Sequence, residues 1–193
     1  MTFSRAELLT YRGKTLPDLV PERVSVLFVG INPGLLTVAV QAHFSRRGNR
    51  FYPALYRAGI VDRLIDASHG FDPDDLHHLM ARGIGITSIV AGATARADEL
   101  TVEELTAGAA ALESRVAAMS PRAVALLGIS AYRLGFRRPR ATAGLQTETL
   151  AGRPLWVVPN PSGLNAHETP ASLAAAYRSV ALAAGLDLFD VTS

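Results

Sequence analysis

Seven consecutive residues, Val24 to Gly30 (VSVLFVG), restrict the possible folds of this chain more than any other feature. A strand with one wet face alternates apolar and polar residues. This one is almost continuously apolar, rich in β-branched side chains and stopped by glycine, the pattern of a strand buried on both faces in a parallel sheet. Parallel neighbours need crossover connections, usually helical, so the rest of the chain should alternate strands with helices.

It does so. Ile84 to Val90 (IGITSIV), Arg122 to Leu127 (RAVALL) and Leu155 to Pro159 (LWVVP) read as three further short strands. Helices are predicted over Asn49–Ala58, with Pro53 in the first turn and Gly59 as terminator, and over Pro73–Ala81, with Asp72 as cap and Gly83 as stop. Thr101 and Glu104 form a capping box that opens a long helix, with Val102, Leu105, Ala109, Leu112 and Val116 on one face. Ser130–Phe136 is a short helix, and the last helix starts at Thr169, with Pro170 in its first turn, and ends near Gly185. No hairpin signal competes with this alternation, so the expected fold is α/β, a parallel sheet covered on both faces. Ahead of it, Ser4 and Glu7 make another capping box before a connector through Gly13, Pro17 and Pro21. Residues 1–22 are therefore expected as an N-terminal extension of one domain spanning 1–193, a usual size for a single core.

The absence of cysteine excludes disulfides, thiolate nucleophiles, iron–sulfur clusters and cysteine-ligated zinc. His77 and His78 have no partner at metal-ligand spacing, and Asp72, Asp74 and Asp75 are explained by helix capping, so no metal and no cofactor are expected. No apolar run approaches the roughly 20 residues that span a bilayer, and Arg5 and Glu7 stand where a signal peptide needs apolar residues. The expectation is a cytoplasmic protein with no membrane partner. A net charge of +2, with Arg predominating over Lys, permits a nucleic-acid partner without demanding one.

Ligands of open α/β sheets bind beyond the carboxyl ends of the strands, here at Gly30–Gly34 and Asn160–His167. Gly30-Ile31-Asn32-Pro33-Gly34 is by itself a turn; it matches neither a dinucleotide fingerprint nor a phosphate loop. Asn160-Pro161-Ser162-Gly163-Leu164-Asn165 is by itself another turn, and no nucleophile elbow surrounds Ser162. The segment Ile31–Gly48 between the first strand and the next helix lacks periodicity and is long for a compact domain, the mark of a functional loop.

Together and in this order, GINPG after one strand, NRF (Asn49 to Phe51) opening a helix and NPSGL after a later strand resemble the mismatch-specific uracil-DNA glycosylase and thymine-DNA glycosylase family. The resemblance runs from about Val24 to about Ala184 and includes the GITSIV, RAVALLG and LWVVPNPSGL segments. It implies a three-layer α/β/α sandwich with a short, mainly parallel sheet. It also implies an enzyme that flips uracil, thymine or another damaged pyrimidine out of mismatched duplex DNA, typically opposite guanine, and hydrolyses the N-glycosidic bond to initiate base excision repair. By motif match, Asn32 positions the hydrolytic water. An amide can orient a water but cannot take its proton at neutral pH, so its role is positioning.

The base pocket implied by the resemblance consists of Gly30, Ile31, Gly34, Thr37, Asn160 and the stacking aromatic Phe44, which read alone is one more core phenylalanine. Ser162, Gly163, Leu164 and Asn165 match the family's wedge into the duplex, with Leu164 as apolar plug. Arg46 and Arg47 beside Phe44 could meet phosphates, whereas Arg50 fits a structural role holding the loop equally well; His43 reads as a solvated loop residue. The chain departs from the family where Asn165-Ala166 replaces the frequent Ser-Arg after the leucine, and from faster uracil glycosylases where Asn32 and Asn160 replace Asp and His. No lysine stands in either motif, so a monofunctional enzyme is expected, acting as a monomer on double-stranded DNA. The rival from another class is a non-catalytic mismatch or lesion binder. A free-nucleoside hydrolase would need an aspartate cluster after the first strand, where only Asn32 is present.

Overall fold

The computed structural model describes residues 3–163 and 168–191. Four strands run parallel: β1 (Val26–Gly30), β2 (Ile84–Ser88), β3 (Ala123–Leu127) and β5 (Arg153–Val158). A fifth, β4 (Gly144–Leu150), pairs antiparallel with β5, and the sheet order is β2-β1-β3-β5-β4. All five residues of β1 are buried, as the unbroken apolar run requires of a strand covered on both faces.

The helices are α1 (Arg5–Leu9), α2 (Leu35–Ala39), α3 (Phe51–Arg57), α4 (Pro73–Ala81), α5 (Val102–Met119), α6 (Ile129–Gly135) and α7 (Pro170–Ala183). Because successive side chains of a strand point to opposite faces, Val26 and Phe28 join one core with Leu55 of α3 and Tyr177 of α7. Leu27 and Val29 join a second core with Leu112 and Val116 of α5 and Tyr132 of α6. Helices thus cover both faces of a mainly parallel sheet, the α/β/α sandwich expected. The capping boxes at Ser4/Glu7 and Thr101/Glu104 are formed, and the Asp72 carboxylate accepts from the Asp74 amide at the start of α4. Of the predicted α5 stripe, Leu105, Ala109, Leu112 and Val116 are buried. Val102, in the first turn, is instead 47% exposed. Among the described residues no helix is long and apolar enough to cross a membrane.

Two features depart from the expectation. The first is the β4–β5 hairpin. Its turn residues Ala151 and Gly152 both have positive φ, +49° and +74°, as a two-residue turn of the I′ kind requires, but alanine at the first position lacks the Asn-Gly or Asp-Gly signature. The strand itself, GLQTETL, is polar and alternately exposed, as suits a sheet edge rather than a core. The second is α2, a helix of five residues inside the segment read as unstructured loop, too short for its periodicity to register. The N-terminal extension carries the short helix α1 and is docked onto the fold: Leu19 and Ile86 exchange backbone hydrogen bonds of 2.9 and 2.8 Å. Leu8, Tyr11 and Leu16 pack on Leu35, Val38 and Ala93.

Candidate active site

A cleft of about 330 Å³ opens at the carboxyl end of β1, between the segments that follow β1, β2 and β5. Gly30 and the turn Ile31–Gly34 form one part of its lining. Backbone bonds hold that turn against the segment after β2: Ile89 N–H to Gly30 O (2.9 Å), Val90 N–H to Ile31 O (3.0 Å) and Thr94 N–H to Pro33 O (3.3 Å).

The Asn32 side chain is fixed by its own donors. Nδ2 donates to Thr94 Oγ1 at 2.8 Å, Gly92 O at 3.1 Å and Pro33 O at 3.3 Å. Backbone carbonyls only accept, and the Thr94 hydroxyl spends its proton on Arg96 O at 2.7 Å, so it too can only accept from Asn32. The amide therefore has one orientation, with its nitrogen turned to the protein. Among the described residues none donates to Oδ1.

Phe44 adopts φ +55°, a left-handed conformation that is uncommon for a bulky residue and that local packing must impose. Its ring stacks on Phe51, centroids 4.0 Å apart at 28°, and reaches so far over β1 that a Cβ on Gly30 would touch its tip at 3.5 Å. Phe51 is held in turn: its N–H donates to Asn49 Oδ1 (2.9 Å), and it meets Phe28 and Tyr52 edge-to-face at 5.2 and 5.1 Å. Opposite, Asn160 Oδ1 accepts from the Ser162 amide at 2.9 Å, which shapes the turn after β5.

All the expected base-pocket residues, Gly30, Ile31, Gly34, Thr37, Phe44 and Asn160, line this one cleft with Asn32, Arg46 and Ser162. Arg47 is exposed and does not line it. Gly163 does permit a close approach, but to the protein's own backbone: a Cβ there would lie 2.7 Å from Gly48 O. Leu164 and Asn165 lie outside the described residues. Among those described, no group of three His, Asp or Glu side chains could hold a metal ion. His77 is exposed, and His78 lies 3.2 Å from Asp62.

His43, expected in solvent, is buried in the wall of the cleft; its Nε2–H donates to Pro17 O at 3.0 Å. Burial lowers its pKa below the ordinary 6.5, against the opposing pull of the Pro17 carbonyl and Asp18. Below pH 6.5 the unfolded chain therefore binds more protons than the folded one, and stability falls as the pH falls, by at most about 1.4 kcal/mol per pH unit for one group. Urea melts between pH 7 and 5 should show this decline. His43→Gln, which keeps a donor for Pro17, should flatten it, with the residual slope coming from His78, whose pKa is also lowered by desolvation, and, towards pH 5, from carboxyls held below their ordinary range such as Glu148.

The model of the uracil DNA glycosylase superfamily matches residues 17–181, most of the length of the chain. The chain belongs to the uracil DNA glycosylase superfamily. Members of that superfamily are DNA glycosylases, hydrolases of base excision repair that act on DNA. The fold is also similar to the solution NMR structure of a protein from Methanosarcina acetivorans provisionally described as a uracil DNA glycosylase. The TM-score is 0.56 at 17% identity, over 88% of this chain and 98% of that one.

In this uracil DNA glycosylase superfamily member one side of the cleft is built by the segment after β2, outside both motifs. Asp98, which in the sequence reads as a capping charge ahead of the long helix or as an acid near the pocket, does line it, ion-paired with Arg96, and so do Ser88, Thr94 and Arg96. They carry no motif. The available signal was positional: they follow a parallel strand's carboxyl end, where ligands of such sheets bind.

Proposed function

We propose that this superfamily member is a monofunctional glycosylase of the mismatch-specific uracil and thymine type, which removes uracil, and other damaged pyrimidines, from duplex DNA opposite guanine. The observation that carries the reading is the locked Asn32 amide. With Nδ2 committed to three acceptors, Oδ1 is the end able to accept a hydrogen bond from a water in the cleft and so orient its lone pair.

In this mechanism the duplex is held through phosphates, with Arg46 and Arg47 supplying charge, and the pyrimidine turns out into the cleft at a cost of a few kcal/mol, least for a mispaired base. Phe44, backed by Phe51, offers a ring for the base to stack on. As the bond between C1′ and the base nitrogen breaks, its electron pair leaves with the base and the sugar becomes oxocarbenium-like. The water held by Asn32 forms the new C–O bond at C1′ and gives up its proton to solvent. Donors beside the base, backbone amides near Ile31 and the Asn160 amide, stabilise the negative charge growing there. Asp98 is a poor general base, since its side chain is 62% exposed and paired with Arg96. Lys14 is the only lysine; it does not line the cleft and its ammonium lies 4.6 Å from the centroid of the Tyr11 ring, so no lysine is placed for a Schiff-base lyase step.

The test is single-turnover cleavage of one oligonucleotide carrying uracil opposite guanine, opposite adenine and in single strand. Guanine-paired uracil should be cut fastest. Binding of the mismatch with no cleavage of any substrate would instead support the non-catalytic lesion binder.

A further inference from the structure

One side chain ties the two walls of the cleft together. Arg50, at the start of α3, donates from Nη2 to Ser162 O at 2.7 Å and from Nη1 to Glu168 O just before α7. Its backbone N–H donates to Pro161 O at 2.9 Å. Next to it, Gly48 O lies so close to Gly163 that no Cβ fits between them. The next residue in the chain is Phe51, the platform under Phe44. Arg50 thus sits where the aromatic wall (Phe44 on Phe51) and the wall after β5 (Asn160 to Ser162) meet, and its side chain and backbone fasten one to the other. From below, Tyr177 of α7 donates to Pro159 O at 3.3 Å.

We propose that Arg50 is a positioning residue: it sets the spacing between the Phe44 ring and the Asn160–Ser162 turn, and acts on cleavage without contacting base, sugar or phosphate. The inference rests on the glycosylase reading above. The chemistry that singles out arginine is its planar fork, which reaches two carbonyl oxygens in fixed directions; a lysine ammonium keeps the charge but not the fork. A phosphate contact and a tie therefore predict opposite behaviour for the conservative variant.

The experiment compares Arg50→Lys and Arg50→Ala with wild type in three measurements: the single-turnover rate at saturating enzyme, the affinity for uncleaved duplex across a salt series, and amide hydrogen exchange of the segment carrying Ser162 and Gly163. The tie predicts that both variants slow cleavage by about tenfold or more, as misplacement by a fraction of an ångström does. Duplex affinity and its salt slope should stay near wild type, and exchange should quicken at Ser162 and Gly163 while α5 is unchanged. Wild-type cleavage in Arg50→Lys, with weaker binding and a shallower salt slope in Arg50→Ala, would make Arg50 a phosphate contact and overturn the proposal. Unchanged exchange at Ser162 and Gly163 would overturn it irrespective of activity. If wild type itself cuts no uracil-containing DNA, the glycosylase reading fails and the role in cleavage falls with it, while exchange still decides whether the tie exists.

Discussion

Replacing Asn32 with alanine is expected to lower the single-turnover rate on guanine-paired uracil by about 100-fold or more, with duplex affinity close to wild type. The size follows from what is lost: a fixed acceptor for the water, and with it the alignment of the attacking oxygen on C1′, where misplacement by about 1 Å costs about 100-fold. Affinity should survive because phosphate contacts dominate duplex binding, and Asn32 lines the cleft with its amide committed to the protein, whereas Arg46 and Arg47 are exposed. Asn32→Asp should not rescue the loss. A carboxylate has no proton to offer Gly92 O or Pro33 O, so these two carbonyls would repel it, and the Thr94 hydroxyl could meet it only by giving up its bond to Arg96 O. Quench-flow cleavage with excess enzyme, paired with a binding titration, reads both effects. A rate within a few-fold of wild type would remove Asn32 from the mechanism.

The second large effect is on the fold. Phe51→Ala should cost about 3–5 kcal/mol, the usual range for a fully buried aromatic truncated to alanine. Phe51 has no solvent exposure and touches Phe28 of β1, Phe44, Tyr52 and Tyr177 of α7, so its removal opens a cavity where α3, α7 and the sheet meet. Set against the 5–15 kcal/mol that holds a typical domain together, this is a large fraction. Urea unfolding should show a lower midpoint with an unchanged slope. Phe51→Leu, which leaves less empty volume, should cost less. Because Phe51 also backs the Phe44 ring, the leucine variant should fold yet bind a flipped base less well, separating the platform's contribution to stability from its contribution to the site.

The backbone conformation of Phe44 shows why so much here depends on one packing cluster. A phenylalanine at φ +55° is held against its own preference, and the visible constraints are the Phe51 stack, the fit over Gly30 and the Tyr52 hydroxyl bonded to His43 O at 2.8 Å. Strain of this kind persists only where neighbours outweigh it, and in this chain it coincides with the cleft.

Much of the architecture is written in local patterns that need no partner to be read. A continuous apolar run fits a strand covered on both faces, and a Ser, Thr or Asp before a helix satisfies donors two or three residues away, so β1, α4 and the start of α5 follow from their own residues. The two motifs likewise revealed half the cleft, since each directly follows a strand. What the sequence could not supply was anything that depends on contacts between distant segments: the β4 edge strand, whose polar alternation belongs to a sheet edge; the burial of His43 under the N-terminal extension; the Thr94 and Gly92 acceptors that orient Asn32; and the Arg50 tie across to Ser162 and Glu168. Local hydrogen bonding and periodicity act over a few residues and leave their trace in the chain. The partners of Asn32 and Arg50 lie some 60 to 118 positions away, and only closure of the sheet brings them within hydrogen-bonding distance.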